Sequence, residues 1–375
     1  MSLVRQAHAC LTPFLEESIM KRFKMRRVTL KEVASRAGVS LSTASLALNG
    51  KPGVHPETRA KVLRVAWELE YQPNAAARSL ANGKSQAIGL VNPISLEQLF
   101  SSADFFMHLS RGLYQAAKEH NYHVFLLVSE TDQDAAELVK EVIRQRRVDG
   151  LIITNPAEAA SYLGELEKYE FPCVFVGRPS DSQALYVDNN NIEIGRLGTK
   201  HLLSLGRRDI AFLTGPLRFT HCQDRLLGYR MALEEFGLTF REELVWQAEQ
   251  SEERILTVVK EKIAQVKFDA IFATSGLHAV CAIRVCQEHG LRIPDDVAVV
   301  CVEDSSLAKY FYPSITAIEL DSFWLGYWAT KLLLRVIEGE DPGSPILLPG
   351  KLVVRTSSAT KKGGGAGQES LRSTP

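Results

Sequence analysis

The stretch VTLKEVASRAGVSLSTASLALNG, residues Val28–Gly50, holds two short runs of helical apolar periodicity separated by Ala37-Gly38-Val39. The first run opens with Thr29 and has Glu32 three residues on, the spacing of a capping box in which each side chain takes the other's free backbone N–H. A helix is therefore expected from Leu30. Its apolar positions Leu30, Val33, Ala34 and Ala37 fall on one face, and Gly38 tolerates the left-handed conformation that ends a helix. Ser40 caps a second helix that runs to Leu48 and stops at Asn49-Gly50. Two helices of about two turns joined by a short turn containing glycine form a helix-turn-helix, which holds its second helix out toward a DNA groove. The outward face is Leu41, Ser42, Ser45 and Leu46; Val39, Thr43, Ala44 and Ala47 face inward.

The following residues complete a small domain. His55-Pro56-Glu57-Thr58-Arg59 puts proline at the first position of a third helix, and Val62, Val65, Ala66 and Leu69 recur at the spacing needed to close a three-helix core. That helix ends at Tyr71-Gln72-Pro73, and Asn74 can cap one more short run, AAARSLA, before Asn82-Gly83. Charge points the same way. Residues 21–84 hold 13 Lys/Arg and 4 Asp/Glu, a net of +9, whereas residues 85–375 hold 30 and 38, a net of −8. The overall neutrality of the chain hides a basic head on an acidic body, the electrostatic footprint of a phosphate-binding module whose remainder does not adhere to the same polymer.

Beyond the head, strand-like and helical runs alternate. AIGLV (87–91), VFLLV (124–128), GLIIT (150–154) and CVFVG (173–177) are interleaved with helical patterns at 106–120, 135–146 and 159–169. The alternation begins again with IAFLT (210–214), AIFAT (270–274) and VAVVCV (297–302), among helical patterns at 194–205, 226–236, 252–265 and 279–289. Two successive α/β units predict two lobes, each a parallel sheet covered by helices, with a cleft between them. Ligands of open α/β sheets bind beyond the carboxyl ends of the strands. The loops there carry Asn92, Ser129, Asn155, Arg178, Ser275, Glu303 and Asp304.

No apolar run reaches membrane-spanning length and the first 20 residues lack the basic-then-apolar order of a signal peptide, so a cytoplasmic protein is expected. The cysteines at 10, 173, 222, 281, 286 and 301 lie mostly in apolar strands or helices without zinc spacing. Core packing in a reducing compartment explains them better than disulfides or a metal. No cofactor or metal is expected. Glu303-Asp304 near Arg225 or His278 is the one starting point for an enzyme. Adjacent carboxylates on one loop do not make an acid/base pair, which needs groups opposed across a substrate, and no phosphate loop or nucleophile elbow is present. An exported binding protein would share the body but has no use for a basic head.

At this point the chain resembles the LacI/GalR family of transcription regulators over about residues 26–356. The resemblance rests on TLKEVASRAGVSLSTAS, LNG, HPETRAKV, YQPNAAARSLANGKS, IGLV, RRVDGLII, VDN, DRLLGY, GLRIPDDVAVV and LVVR. It implies an N-terminal all-α helix-turn-helix DNA-binding domain at 26–73, a hinge helix and linker at 74–85, and a two-lobed α/β periplasmic-binding-protein-like domain at 86–356. Residues 1–25 and 357–375 are left as disordered extensions. The implied function is a DNA-binding regulator, most simply a repressor, that reads double-stranded operator DNA as a homodimer, with a tetramer left open. A small-molecule effector between the lobes, a sugar or sugar derivative among the candidates, would control it. The order of motifs implies that the chain crosses between lobes near 187, 318 and 349.

The resemblance also assigns residues. DNA contacts fall to Thr29, Leu30, Ser40, Leu41, Ser42, Ser45, Leu46, Asn49, His55, Thr58, Asn74, Ala77, Arg78 and Leu80. Thr29, Ser40 and Asn49 would hold phosphates and fix register. Leu80 matches the leucine that wedges a base step open from the minor groove. Effector contacts fall to Asp104, Phe105, Phe106, Arg178, Arg225, Ser275 and Glu303. Two departures matter. Leu46 stands where the family usually has an arginine able to take guanine O6 and N7 together, and Ser275-Gly276 and Glu303 stand where Asn-Asp and Asp are common. An operator that differs from the family's common type is therefore expected, and a sugar pocket is left open.

Overall fold

Local signals organise the first of the two units into which the chain divides between Lys84 and Ser85. The computed structural model describes residues 28–72, 83–93, 103–129, 132–154, 160–180 and 184–359. Helices α1 (Leu30–Ala37), α2 (Leu41–Leu48) and α3 (Pro56–Glu68) form that unit. The Thr29 Oγ1 accepts the Glu32 N–H at 3.3 Å while the Thr29 N–H donates to the Glu32 carboxylate at 2.7 Å, so the capping box is reciprocal. Gly38 ends α1 at φ 68°, and Ser40 Oγ accepts the Thr43 N–H at 3.0 Å to start α2. Val33, Ala34, Ala37, Ala44, Ala47, Val62, Val65 and Ala66 make the core, with Leu30, Val39 and Leu69 packed on it. Residues 74–82 of the hinge segment, with Asn74, Ala77, Arg78 and Leu80, lie outside the described residues, as do Cys10, Asn155 and the first 27 residues.

The second unit contains two sheets. The first lobe is built from β1 (Ala87–Pro93), α4 (Ala103–Glu119), β2 (His123–Ser129), α5 (Asp132–Arg144), β3 (Gly150–Thr154), α6 (Ala160–Lys168), β4 (Cys173–Val176) and β5 (Tyr186–Asn189). The chain then enters the second lobe with α7 (Asn191–Ser204), β6 (Ile210–Thr214), α8 (Thr220–Glu235), β7 (Val245–Gln247), α9 (Glu252–Gln265), β8 (Ala270–Ala273), α10 (Gly276–Glu288), β9 (Ala298–Val302), α11 (Ser306–Tyr310) and β10 (Thr316–Leu320). It returns to the first lobe for α12 (Ser322–Glu338) and β11 (Ile346–Leu348), and crosses again to β12 (Gly350–Val353). The sheets run β11-β5-β4-β3-β1-β2 and β12-β10-β9-β8-β6-β7. Among the described residues every pairing is parallel except β10 with β12. The three connections between lobes therefore lie at Asn190, Asp321 and Pro349, side by side at one edge of the cleft.

Apolar residues cover both faces of each sheet, which is why the strands read as continuous apolar runs. Several helices begin a turn or more before their apolar pattern does. Polar or cleft-facing residues occupy the extra turns: Ala103–Phe105 in α4, Asn191–Glu193 in α7, Thr220–Arg225 in α8 and Gly276–His278 in α10. Ser357 and Ser358, expected in a disordered tail, are instead buried in the second lobe. Ser357 Oγ donates to Val299 O at 2.6 Å and takes the Thr316 N–H at 2.8 Å, while Ser358 Oγ meets His201 Nε2 at 2.8 Å. Their partners lie far away in sequence, so no local pattern marks them.

Candidate functional site

The head presents α2 to solvent along its first turn. Leu41 is 53% exposed, Ser42 is exposed, and Ser45 and Leu46 are half-buried beside the fully buried Ala44. The polar side chains expected at phosphates already have short-range partners. Thr29 Oγ1 lies 3.0 Å from the Glu32 carboxylate, Ser40 Oγ lies 2.8 Å from both Ser42 Oγ and Thr43 Oγ1, and Asn49 Nδ2 donates to Ser45 O at 2.9 Å. These bonds fix Thr29 and Ser40 at helix N-termini, where backbone N–H groups favour anions, and Asn49 at the C-terminal end of α2. Arg59 reaches back from α3 to Lys51 O at 2.5 Å and Ala47 O at 3.4 Å, closing the end of α2 in a role its sequence context does not reveal. His55 is exposed and caps α3 without a side-chain bond; Thr58 is half-buried.

Between the lobes of the second unit lies a cavity of about 260 Å³. Phe105 and Phe106 reach it from the first lobe and Phe219 from the second, with Asn92, Thr154 and Asn189 facing Arg225, Ser275, His278 and Glu303. Such a mixture of aromatic surface and a few converging polar groups is typical of small-molecule sites. Among the described residues, three on the wall carry a buried polar atom without a hydrogen-bond partner: Asn92 Nδ2, Asn189 Oδ1 and Glu303 Oε1. Unsatisfied buried groups are costly, so each is a place where a ligand atom gains by binding.

Arg225 is the buried cation of the site, 7% exposed. Its Nε donates to Asn191 Oδ1 and its Nη1 to Thr274 O, both at 3.0 Å, and burial pulls its pKa down against the nearby Cys222, Asp188, Glu303 and Asp224. Close helix contact holds it there. A Cβ on Gly195 of α7 would stand 2.1 Å from the Arg225 carbonyl oxygen, and one on Gly228 of α8 would stand 1.9 Å from Ile192 O, so only glycine lets α7 and α8 meet. Asp188 accepts N–H groups from Arg178 and Asn189 and the Asn191 amide, yet burial still pushes its pKa up.

Two wall histidines are neutral. Burial holds His278 down at about 4, and burial with the Arg225 charge holds His221 at about 3. His278 Nε2 faces Ala248 O at 3.2 Å and must donate there, so its Nδ1 accepts the Ser275 hydroxyl at 2.6 Å. The Ser275 proton is thereby committed within the wall.

Five of the seven expected effector residues line the cavity: Phe105, Phe106, Arg225, Ser275 and Glu303. Asp104 and Arg178 do not, because each is drawn to the opposite lobe. Arg178 forms a bidentate pair with Asp224 of α8, Nη2 to Oδ1 at 2.8 Å and Nε to Oδ2 at 3.2 Å, and Asp104 accepts the Ser306 N–H of α11. Sequence reasoning missed Asn189, Phe219, Thr220, His221 and Cys222, which stand in the first turn of α8 or at the first crossing. The late start of the apolar pattern in α8 is the signal that marks that turn.

The model of bacterial regulatory proteins of the lacI family matches residues 29–74, and that of the periplasmic binding protein-like domain matches residues 199–358. The HTH-type transcriptional regulator CelR of Thermobifida fusca is 32% identical over 345 residues, 91% of this chain and 99% of that protein. The chain belongs to the LacI family. A solved structure described as a transcriptional regulator CelR–cellobiose complex aligns with TM-score 0.70 and 30% identity, covering 88% of this chain and all of that one. The Lac repressor dimer bound to operator and the anti-inducer ONPF aligns with TM-score 0.74 and 26% identity over 89% of this chain. This LacI-family chain is thus a DNA-binding transcriptional regulator with a helix-turn-helix domain followed by a two-lobed α/β domain. Among the described residues, no helix is long and apolar enough to cross a membrane.

Proposed function

We propose that the protein is a cytoplasmic repressor whose homodimer reads a two-fold operator and whose operator affinity is set by an uncharged, hydroxyl-bearing effector of the sugar class held between the lobes. The observation that carries this reading is the cavity itself: apolar rings together with three unsatisfied polar atoms, contributed by both lobes. A hydroxyl both donates and accepts, so a polyol can satisfy an amide donor, an amide acceptor and a carboxylate oxygen at once. The CelR–cellobiose complex, a similar chain bound to a sugar, supports the sugar class. The Lac repressor dimer bound to operator supports a two-fold reader.

A ligand that alters how the two lobes are held against one another changes the relation of the two copies and so reaches DNA at a distance. Binding rather than catalysis is supported by the divergence of the two adjacent carboxylates. Glu303 turns to the cavity, whereas Asp304 turns to Arg355, Nη1 to Oδ1 at 2.5 Å, and to Lys309 at 3.5 Å. The test is a heat-denaturation screen of the full chain against cellobiose and other neutral sugars, followed by operator binding with each stabilising sugar. A ligand bound only by the folded state must raise its stability. The expected result is a sugar that raises the midpoint and shifts operator affinity; sugars that bind without touching operator affinity contradict the proposal.

A further inference from the structure

Two carboxylates meet at the cleft from opposite lobes. Asp104, in the first turn of α4, accepts the backbone N–H of Ser306 in the second lobe. Glu303, just past the end of β9 in the second lobe, lines the same cavity as Phe105 of that first turn of α4, and the Phe105 N–H acts to lower its pKa. Each lobe therefore sets an acid against the other: the Ser306–Asp104 bond breaks if the lobes part, and Glu303 loses the first-lobe wall that buries it. The two acids differ in surroundings. Asp104 is held below the usual carboxylate range, first by the Ser306 N–H and also by the Ser306 side chain and the charges of His108 and Lys309. Glu303 sits at φ 79°, a left-handed backbone that a residue with a long side chain adopts only when its surroundings impose it. Its Oε1 is buried on the cavity wall with no partner.

The charged groups that face Glu303 are Asp104 from α4 and Arg225 from α8. Arg225 divides its charge among Asp188, Asp224 and Glu303 and makes its own hydrogen bonds elsewhere. Its neighbour Asp304 is occupied by Arg355 and Lys309. Burial, with the Asp104 charge added, pushes Glu303 up to about 7, and Arg225 and the Phe105 N–H only partly oppose them.

We infer that Glu303 is a proton-operated lock between the lobes: protonated, it holds the empty cleft closed, and an effector hydroxyl that donates to Oε1 takes over from the proton. The last step rests on the cleft being the effector site; the lock itself does not. Parting the lobes returns water to Glu303 and lets it fall toward its ordinary value of 4.5, so the closed form holds the proton more tightly. Protons therefore favour closure, and closure weakens as pH rises toward 7. A donor to the charged carboxylate stabilises that form, so effector binding below about pH 7 releases a proton. The Arg178–Asp224 ion pair also joins the two lobes, and His221 and His278 stay neutral.

The experiment is hydrogen exchange of the ligand-free full chain at pH 6 and pH 8, read at the amide of Ser306, which donates across the lobes to Asp104, and corrected for intrinsic rates. Linkage with a closed-form value of about 7 gives an expected loss of protection of about tenfold from pH 6 to pH 8. Glu303→Gln, which keeps the shape and cannot ionise, should stay protected at both pH values. Asp104→Asn removes the like charge and should move the transition to lower pH, which keeps the test decisive should the glutamine variant fail to fold. Constant protection in the parent, or an unchanged transition in Glu303→Gln from another group such as His108, overturns the inference. Neither outcome needs a ligand or DNA, so either leaves the sugar assignment standing to its own test.

Discussion

The head and the cleft treat their polar side chains in opposite ways. On the head, Thr29, Ser40 and Asn49 are exposed and each is satisfied by a group two to four residues away. In the cleft, Asn92, Asn189 and Glu303 come from three separate strand ends and each keeps a buried atom unsatisfied. The first arrangement is a finished surface. Its hydrogen bonds are already made, so operator affinity there is expected to rest on charge spread over many contacts. The second arrangement is unfinished, and its missing hydrogen bonds concentrate binding energy on a few atoms.

That contrast predicts variants with separable effects. The largest is expected for Arg225→Ala, which leaves Asn191 Oδ1 and Thr274 O without their donor and empties the cleft of its buried cation. Titration of operator with and without the sugar found by screening should show the response lost while basal affinity stays within about twofold. Next comes Gly195→Ala. The added methyl would overlap the Arg225 carbonyl at 2.1 Å, and overpacking of that kind costs about 1–3 kcal/mol or more. Calorimetry should show the second domain melting earlier with the melting of the head unchanged, and sugar affinity should fall with it.

On the head the expected effects are smaller and confined to DNA. Leu46→Arg should gain guanine at one symmetric pair of operator positions, worth about 1–3 kcal/mol of discrimination, and selection from a random duplex library reads the change. An unaltered motif would place Leu46 away from the bases. Thr29→Ala removes half of the capping box and should cost the head about 1 kcal/mol. Chemical denaturation followed on the head should detect it, with the sugar response intact.

The same difference governs how much could be read from sequence. Helices α1 and α2 are specified by contacts three or four residues long, and Thr29, Glu32, Gly38 and Ser40 announce them. The alternation of the second unit is legible because buried strands are continuously apolar. Its cleft is only partly legible. Arg225 and Glu303 are reached through the family resemblance, but Arg178 and Asp104 are drawn off the wall by Asp224 and Ser306, 46 and 202 residues away in sequence. Helix α12 is apolar around much of its circumference, from Phe323 through Leu334, so it offers little periodic contrast. Strands β7, β11 and β12 are only three or four residues long. Ser357 and Ser358 become structural only through partners on other strands.

The most direct test of the account is operator affinity of the full chain with and without a saturating, stabilising sugar, in the parent and in Arg225→Ala side by side. The operator is first selected from random duplexes, where a two-fold symmetric motif is expected, with affinity falling by several powers of the salt concentration. The account predicts that sugar changes parent affinity by about tenfold or more, a coupling of about 1.4 kcal/mol, and leaves the variant unmoved at the same basal value. Equal operator affinity with and without bound sugar in the parent, or a variant that still responds, would contradict it.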